Sequence, residues 1–203
     1  MAKQKWKGGA LIAPVPPAMI TCGNDETGNT NIITIAWTGI INTNPPKTYI
    51  SVRPSRHSYN IIKESGEFAI NLTTKDLVRH ADFCGIYTGA KVNKFEKCDL
   101  HKEKASEISC PLIAESPLSL ECKVTEMIPL GTHDMFLADI VAVDVDEGLL
   151  DKEGKLRLDK AGLAAFAHGE YFALGEKLGT FGFSVKKKKK KKAQKPKSAA
   201  PKS

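Results

Sequence analysis

Short apolar runs alternate with clusters of turn residues along most of the chain, and few of these runs have helical spacing. Runs rich in β-branched residues, such as "NIITIAWTGII" (31–41) and "EFAINL" (67–72), are typical of strands. Two longer runs (119–130 and 133–147) predict a pair of long strands joined near Gly131. Many strands separated by a few helices indicate a β-barrel or β-sandwich with helical additions.

The remaining elements are predicted from prolines, glycines and capping residues. The segment 9–23 contains several prolines, which cannot donate to a central ladder, so it is predicted to be an edge strand. A short helix is expected over about 58–63, with Gly66 placed to end it. Asp76 is expected to cap a second helix that runs to about Cys84, and Asp159 a third that runs through His168.

The strand at 31–41 has two faces of different character. Side chains alternate along a strand, so one face carries small residues (Thr34, Ala36 and Thr38) and the other carries large apolar residues (Ile33, Ile35 and Trp37). The large face is predicted to belong to the core. The small face lets a flat ligand approach the backbone, and the alternative is that it packs against a neighbouring helix.

The stretch "SVRPSRHSYN" (51–60) concentrates hydrogen-bond donors where the strand 47–53 ends and a helix is expected to begin. Arginine supplies a planar fork, serine a hydroxyl, and a helix start free N–H groups, which together suit a phosphate. Because Arg53 shares a strand face with Ser51, it is expected to contribute more than Arg56. The alternative is that Ser55 or Ser58 caps the helix and the arginines pair with surface acids.

Several kinds of chemistry are excluded by spacing. His133 and His168 do not form an H-x-x-x-H or H-E-x-x-H pair, so no metal site is predicted. The sequence has no G-x-G-x-x-G fingerprint, no phosphate-binding P-loop and no G-x-S-x-G elbow. Any nucleotide cofactor is therefore not held in the Rossmann manner. The glycine-containing loop 83–95 offers Lys91 or Lys94 as additional charge for an anion.

The distribution of charge separates a folded part from a tail. Hydrophobic residues make up 41% of the chain, which suits one domain over 1–185. The formal net charge is +7, and removing the ten lysines of segment 186–203 leaves −3 for the rest. That segment is predicted to be a disordered, solvated tail whose contact with nucleic acid is only weak and salt-dependent.

Composition also bears on the compartment. No apolar stretch is long enough to predict a membrane span. The N-terminal residues lack the sustained apolar core of a secretory signal. Five cysteines are widely spaced and form no C-x-x-C pair. Together these features predict a protein of the reducing cytoplasm.

Several motifs in a fixed order, including "NIITIAWTG", "SVRPSRHSYNII", "FAINL", "DFCG", "LECKV", "LGTHDMFLADIVAV" and "HGEYFALG", carry a family resemblance. From about residue 9 to residue 185, the chain resembles the flavin reductase-like, FMN-binding split-barrel family, and within it the flavoredoxin-type branch. The resemblance implies a mainly β fold, a split β-barrel with Greek-key topology and a few flanking helices. It also implies a homodimer that holds FMN without a covalent bond near the dimer interface.

The resemblance further implies roles for individual residues. Contacts to the isoalloxazine and ribityl groups are implied for Thr34, Ala36, Trp37, Thr38, Ser51, Val52 and Arg53. Contacts at the phosphate end are implied for Ser55, Arg56, His57, Ser58 and Lys94. His133 matches a histidine near the nicotinamide or the open flavin face and is the candidate catalytic residue, and His168 and Tyr171 are candidate substrate contacts. Thr88 and Ala90 depart from the serine and arginine that are frequent in relatives.

The implied activity is that of an NAD(P)H-dependent flavin reductase, or of a flavoredoxin-like protein that passes electrons to flavin, ferric or protein acceptors. Flavin chemistry requires the protein to supply orientation and electrostatics more than an acid or a base. Two alternatives remain at this point: an FMN-binding electron carrier without its own NAD(P)H site, and a non-enzymatic β-barrel module whose lysine tail binds a polyanion.

Overall fold

A computed structural model describes residues 1–185, which fold mainly as antiparallel strands, and the lysine-rich segment 186–203 lies outside the described residues. The strands are β1 (Ala18–Asn24), β2 (Asn29–Ile35), β3 (Thr38–Thr43), β4 (Pro46–Val52), β5 (Glu67–Leu72), β6 (Lys102–Glu103), β7 (Leu112–Ile113), β8 (Leu118–Pro129), β9 (Asp134–Val145), β10 (Ala164–Ala167) and β11 (Glu170–Ala173). The helices are α1 (His57–Ser65), α2 (Val78–Ile86) and α3 (Lys94–Lys97), with 3-10 turns at Glu147–Leu149, Leu158–Lys160 and Phe183–Val185.

Seven strands form one antiparallel sheet in the order β2-β1-β5-β8-β9-β4-β3. The two outermost strands, β2 and β3, follow each other in the chain and are separated only by Ala36 and Trp37. The carbonyl of Trp37 accepts a hydrogen bond from the Ser51 N–H (3.1 Å), which continues the β3–β4 ladder up to this bend. The chain therefore passes from one edge of the sheet to the other at Ala36–Trp37 and closes a barrel. The mainly β, split-barrel prediction is confirmed.

The barrel interior is filled by large apolar side chains from strands and from α1. Ile20, Ile50, Phe68 and Phe136 are all fully or almost fully buried in one cluster, together with Ile62 of α1. A second cluster lies between β2 and the helices α2 and α3, and contains Cys84 and Phe95 among others. These two clusters fix β2 from both sides, which gives the adjoining bend a rigid support.

Two sequence predictions about element ends are confirmed. Helix α1 ends at Gly66, whose φ of 68° lies in the left-handed region that glycine adopts at little cost. Strands β8 and β9 pair along their lengths and are joined through the turn at Gly131, which also has a positive φ (103°).

The prediction that segment 9–23 forms an edge strand is wrong. Its last proline precedes β1, which begins at Ala18 and therefore keeps all its N–H donors. β1 pairs with both β2 and β5 and lies inside the sheet.

The prediction of one continuous strand over 31–41, with Trp37 in the core, is also wrong. The chain bends at Ala36 and Trp37, so the two-residue alternation is lost there. Ile33 and Ile35 are buried as expected, but the side chain of Trp37 is 45% exposed. The bend turns an expected core residue toward the surface.

No helix runs from Asp159 to His168. A 3-10 turn at Leu158–Lys160 is followed by Gly162 in the left-handed region (φ 65°), and β10 then pairs with β11. His168 therefore does not end a helix but lies in the β10–β11 turn with a positive φ (51°). Pairing with a neighbouring strand outweighs the helix propensity of the alanines in this segment.

Helix α2 is present, but Asp76 does not cap it. The N-cap residue is Leu77, whose N–H donates to the side-chain oxygen of Thr74 (3.3 Å). Thr74, and not Asp76, therefore supplies the side-chain acceptor at the start of α2.

All five cysteines are buried free thiols. Among residues 1–185, none of the helices has both the length and the apolar character that a membrane crossing requires.

Candidate cofactor site

Two adjoining recesses lie at the bend between β2 and β3. The first, here the strand recess, has a volume of about 160 Å³ and is lined by Ile33, Thr34, Ile35, Ala36, Trp37, Ser51, Val52, Arg53, Arg56 and His133. The second, here the turn recess, has a volume of about 70 Å³, and its lining includes Asn31, Ser55, Arg56, His57, Ser58, Gly85, Thr88, Gly89 and Lys94. They share Ile33 and Arg56, so one elongated ligand can span both.

The alternative interpretation of the turn 51–60 required a serine that caps the helix and arginines that pair with surface acids. Neither is found within residues 1–185. The N-cap of α1 is Arg56, and no side chain caps this helix. The ion pairs found within residues 1–185 involve neither Arg53 nor Arg56. The first turn of a helix also leaves backbone N–H groups without an acceptor in the helix. Positive charge and free donors are therefore directed at solvent, in the arrangement that binds an anion.

Ser58 is held in place from the opposite side of the turn recess. Its hydroxyl accepts a hydrogen bond from the Asn31 side-chain amide (2.7 Å), and both residues are buried. This contact links the first turn of α1 to β2. Gly89 packs against the same amide, since a Cβ built on it would lie 2.1 Å from Asn31 Oδ1. Only glycine lets the 83–95 loop approach so closely.

Lys94 lines the turn recess but is only 3% exposed. Its ammonium donates to the carbonyl of Ile32 (2.6 Å) and to the carbonyl of Cys84 (2.7 Å). Burial lowers the pKa of Lys94. The lysine thus connects β2 to the end of α2, and two of its three N–H donors are already occupied. Its main contribution to the recess is to its shape, with one donor left for a ligand.

The small residues of β2 and the bend differ in what they offer. Thr34 lines the strand recess, and its buried hydroxyl oxygen has no partner among the described residues. Thr38, in contrast, does not line either recess, and its hydroxyl donates to the carbonyl of Tyr49 (2.6 Å). The geometry brings Thr34 and Ala36 to the site and assigns Thr38 to the β3–β4 pairing.

His133 lines the strand recess beside Trp37. Its pKa is lowered by burial and by the positive charges of Arg53 and Arg56. Arg53 Nε donates to His133 Nε2 at 3.4 Å, which is long for a hydrogen bond. His133 Nδ1 lies 3.0 Å from the Thr132 hydroxyl. With Nε2 as acceptor, the proton of the neutral ring resides on Nδ1 and points to Thr132.

His168 and Tyr171 lie outside the two recesses but next to Ala36. His168 lines a larger cavity of about 660 Å³ between the N-terminal segment and the β10–β11 hairpin. Tyr171 lines a cavity of about 290 Å³ that also borders Thr34 and Ala36. Both cavities meet the strand recess at the bend.

Sequence reasoning missed Asn31, Gly89 and Phe166. Asn31 sits within an apolar strand pattern, and its pairing with Ser58, 27 positions away, has no local signal. Gly89 belongs to a glycine-containing loop, which was a usable signal of a close approach. Phe166 was placed in a helix that does not form, and it in fact lines both cavities next to Ala36.

Comparison with known proteins identifies a family and similar folds. The flavin reductase like domain matches residues 12–175. The fold is similar to the flavoredoxin of Desulfovibrio vulgaris (Miyazaki F), with a TM-score of 0.83 and 30% identity, covering 91% of this chain and 100% of that chain.

Two proteins of Archaeoglobus fulgidus are similar in sequence. An uncharacterized protein is 31% identical over 144 residues, which covers 71% of this chain and 78% of that protein. A ferric-chelate reductase (NAD(P)H) is 26% identical over 102 residues, which covers 50% of this chain and 59% of that protein.

Proposed function

The chain belongs to the flavin reductase-like family, and we propose that it is an FMN-binding oxidoreductase that takes electrons from NAD(P)H. The observation that carries the proposal is the continuity of the two recesses. The start of α1 carries Arg56, which forms no ion pair within residues 1–185, and it adjoins a wall of small side chains. Arg56 lines both recesses. This combination suits a ligand with a phosphate at one end and a flat ring at the other.

The turn recess supports the phosphate end. Phosphate oxygens are strong acceptors that bind best to charged forks and free N–H groups. Arg56, the Ser55 hydroxyl and the start of α1 provide these donors, and no acid within residues 1–185 forms an ion pair with Arg56. Ser58 and Lys94 are anchored behind them and keep the recess in shape.

The strand recess supports the ring end. Thr34 and Ala36 leave space close to the backbone, while Trp37 and His133 present flat rings at the mouth. The Thr34 hydroxyl oxygen behind this wall is buried without a hydrogen-bond partner among the described residues. FMN, when bound, supplies the electron transfer chemistry, and the residues of this chain bind it, orient it and shield it from water.

His133 acts as a neutral residue in this proposal. Its lowered pKa favours the uncharged ring, which does not repel the two arginines. Its ring packs against Trp37 with centroids 4.6 Å apart. We assign it the role of orienting a ring that approaches the mouth of the strand recess, as the candidate residue that contacts substrate.

A homodimer is part of the proposal. Large apolar side chains near the site are exposed, including Trp37, Ile86, Tyr87 and Phe172 at 45%, 70%, 52% and 49%. Exposed apolar residues grouped in this way are typical of a surface that a partner covers. Light scattering coupled to gel filtration should give the mass of two chains, and a mass of one chain would contradict this part.

The acceptor is proposed to be a free flavin, a ferric complex or a protein partner in the cytoplasm. Similarity to a ferric-chelate reductase favours a small acceptor, and similarity to a flavoredoxin favours a carrier that passes electrons to another protein. The second candidate function is therefore an FMN-binding electron carrier without its own NAD(P)H site.

Binding of FMN and of riboflavin to the apoprotein tests the site directly. Both share the ring, and only FMN carries the phosphate. We expect the fluorescence of FMN to be quenched when it binds, with one site per chain. FMN should bind at least about 10-fold tighter than riboflavin, because riboflavin lacks the phosphate and its charge-assisted hydrogen bonds. Equal affinities would refute the turn recess as a phosphate site, and no binding of FMN would refute the function.

A further inference from the structure

The first turn of helix α1 is attached to two different strands through consecutive residues. Ser58 accepts a hydrogen bond from the side-chain amide of Asn31 on β2. The next residue, Tyr59, donates its hydroxyl to Oδ2 of Asp134 at the start of β9 (2.5 Å). The turn is therefore held from two sides, and the proposed function draws only on the contact to β2.

The Tyr59–Asp134 pair is buried, and it lies behind the site. Both residues are 7% exposed, and neither belongs to the lining of the strand recess or of the turn recess. The edge of the Tyr59 ring packs against Phe136 of β9, with centroids 5.4 Å apart. A buried carboxylate destabilises a fold unless it is hydrogen-bonded, so the Tyr59 hydroxyl compensates the burial of Asp134.

The position of each partner in the chain connects the pair to the strand recess. Asp134 directly follows His133, and Tyr59 is three residues after Arg56, whose carbonyl accepts the Tyr59 N–H (3.0 Å). His133 and Arg56 both line the strand recess. The hydroxyl–carboxylate bond therefore joins the two backbone segments that carry these lining residues.

The segment that carries His133 is the less restrained of the two. It is the turn 130–133 between β8 and β9, where Leu130 is 61% exposed. Helix α1, in contrast, is packed into the barrel core through side chains such as Ile62, which is fully buried. Loss of the bond should therefore displace His133 more than Arg56.

We propose that Tyr59 and Asp134 are positioning residues that fix the His133 ring at the strand recess. The inference rests on the proposed function, because only there does the strand recess hold the ring end of a ligand. The pair acts through His133 and takes no part in electron transfer. The contact between Ser58 and Asn31 serves the turn recess in the same way, so each end of the ligand has its own support.

Two ligands that differ only in the phosphate separate the two supports. Tyr59→Phe removes the hydroxyl and keeps the ring that contacts Phe136. It should weaken FMN and riboflavin by the same factor, about 5-fold, because both ligands carry the ring. Ser58→Ala should weaken FMN and leave riboflavin unchanged. Fluorescence titration of the apoprotein measures these affinities.

The matched control is Tyr49→Phe, which removes the same hydroxyl from a tyrosine on β4 that lines neither recess. It should change neither affinity. If Tyr59→Phe weakens FMN alone, the pair supports the phosphate end and the assignment is wrong. Unchanged affinities for both ligands would also overturn it.

The titration of His133 tests the assignment without any ligand. Burial and the positive charges of Arg53 and Arg56 lower the pKa of His133. Tyr59→Phe should release the ring from this environment, so its pKa should rise toward the ordinary value. NMR of the imidazole C–H signals in the apoprotein measures the change. A merely structural role would lower stability and leave the pKa of His133 where it is in the wild type, which would overturn the assignment.

Variants of Asp134 separate the hydrogen bond from the charge. Asp134→Asn keeps a carbonyl acceptor for the Tyr59 hydroxyl, so its FMN affinity should stay within about 2-fold of the wild type. Asp134→Ala should match Tyr59→Phe, and the double variant should be no weaker than either, since both changes remove one bond. Equal losses for Asp134→Asn and Asp134→Ala would contradict positioning by this bond. If the wild type binds no FMN, the proposed function fails, and the His133 titration still decides whether the pair positions the ring.

Discussion

The rings of Trp37 and His133 lie against each other, with centroids 4.6 Å apart and planes tilted by 42°. Trp37 belongs to the bend that joins the two edges of the sheet, and His133 to the turn before β9. The contact therefore connects the closure of the barrel to the β8–β9 hairpin. A change at either ring is transmitted to the mouth of the strand recess.

The titration of His133 should respond to Arg53. The positive charge of Arg53 contributes to lowering the pKa of His133, after burial. Arg53→Ala removes that repulsion, so the pKa should rise toward the ordinary value of about 6.5. NMR titration of the imidazole C–H signals measures this. A lower pKa in the variant would contradict the assigned contact, and Arg79→Ala on α2 is the charge-matched control.

FMN affinity should depend more on Arg56 than on Arg53. The strand position of Arg53 led to the opposite expectation, but Arg56 lines both recesses and Arg53 only the strand recess. Arg56→Ala should cost about 1.5–3 kcal/mol of binding free energy, as for a charge-assisted hydrogen bond. Fluorescence titration with FMN gives the comparison. A larger loss for Arg53→Ala would mean that the phosphate lies at the strand end.

Gly89→Ala should disturb the wall of the turn recess that Asn31 and Ser58 form. Its Cβ would lie 2.1 Å from Asn31 Oδ1, so Asn31 must move away from Ser58. We expect a loss of about 1–3 kcal/mol in the free energy of unfolding, typical of overpacking, and weaker FMN binding. Denaturant unfolding and FMN titration measure both. Gly175→Ala, where nothing lies within 4 Å of the added Cβ, is the control and should change neither.

The local sequence pattern predicted the strand-rich fold, the two long strands and the end of α1, because strand burial and turn formation depend on residues that are close in sequence. It could not predict the bend at Ala36–Trp37, where closure of the barrel outweighs strand alternation. Nor could it place Asn31 against Ser58, or Tyr171 against Asp82, since such pairs meet only through the sheet topology. The donor-rich turn at 51–60 was visible in sequence, whereas the absence of a serine cap was not.

Away from the site, Asp144 should make stability depend on pH. It lies near the buried Glu121, and burial together with the Glu121 charge raises the pKa of Asp144 to about 6. The folded state therefore binds this proton more tightly than the unfolded state, and stability falls as pH rises from about 4 to about 6.

Asp144→Asn removes this penalty. At pH 7–8 the variant should be more stable than the wild type by about 1 kcal/mol, after allowance for solvent screening of a half-buried group. The advantage should vanish near pH 4, where both side chains are neutral. Urea unfolding across this range measures the difference. An advantage that does not vary with pH would show that ionisation of Asp144 is not the cause, and Asp76→Asn is the control.

Anaerobic mixing of the FMN-loaded protein with NADH, and separately with NADPH, tests the central claim most directly. The flavin absorbance reports the oxidation state of the cofactor without any added acceptor. The proposed function predicts that at least one of the two nucleotides bleaches the flavin and that an added electron acceptor restores its colour. A bound flavin that stays oxidised with both nucleotides would contradict the claim and would leave an electron carrier as the function.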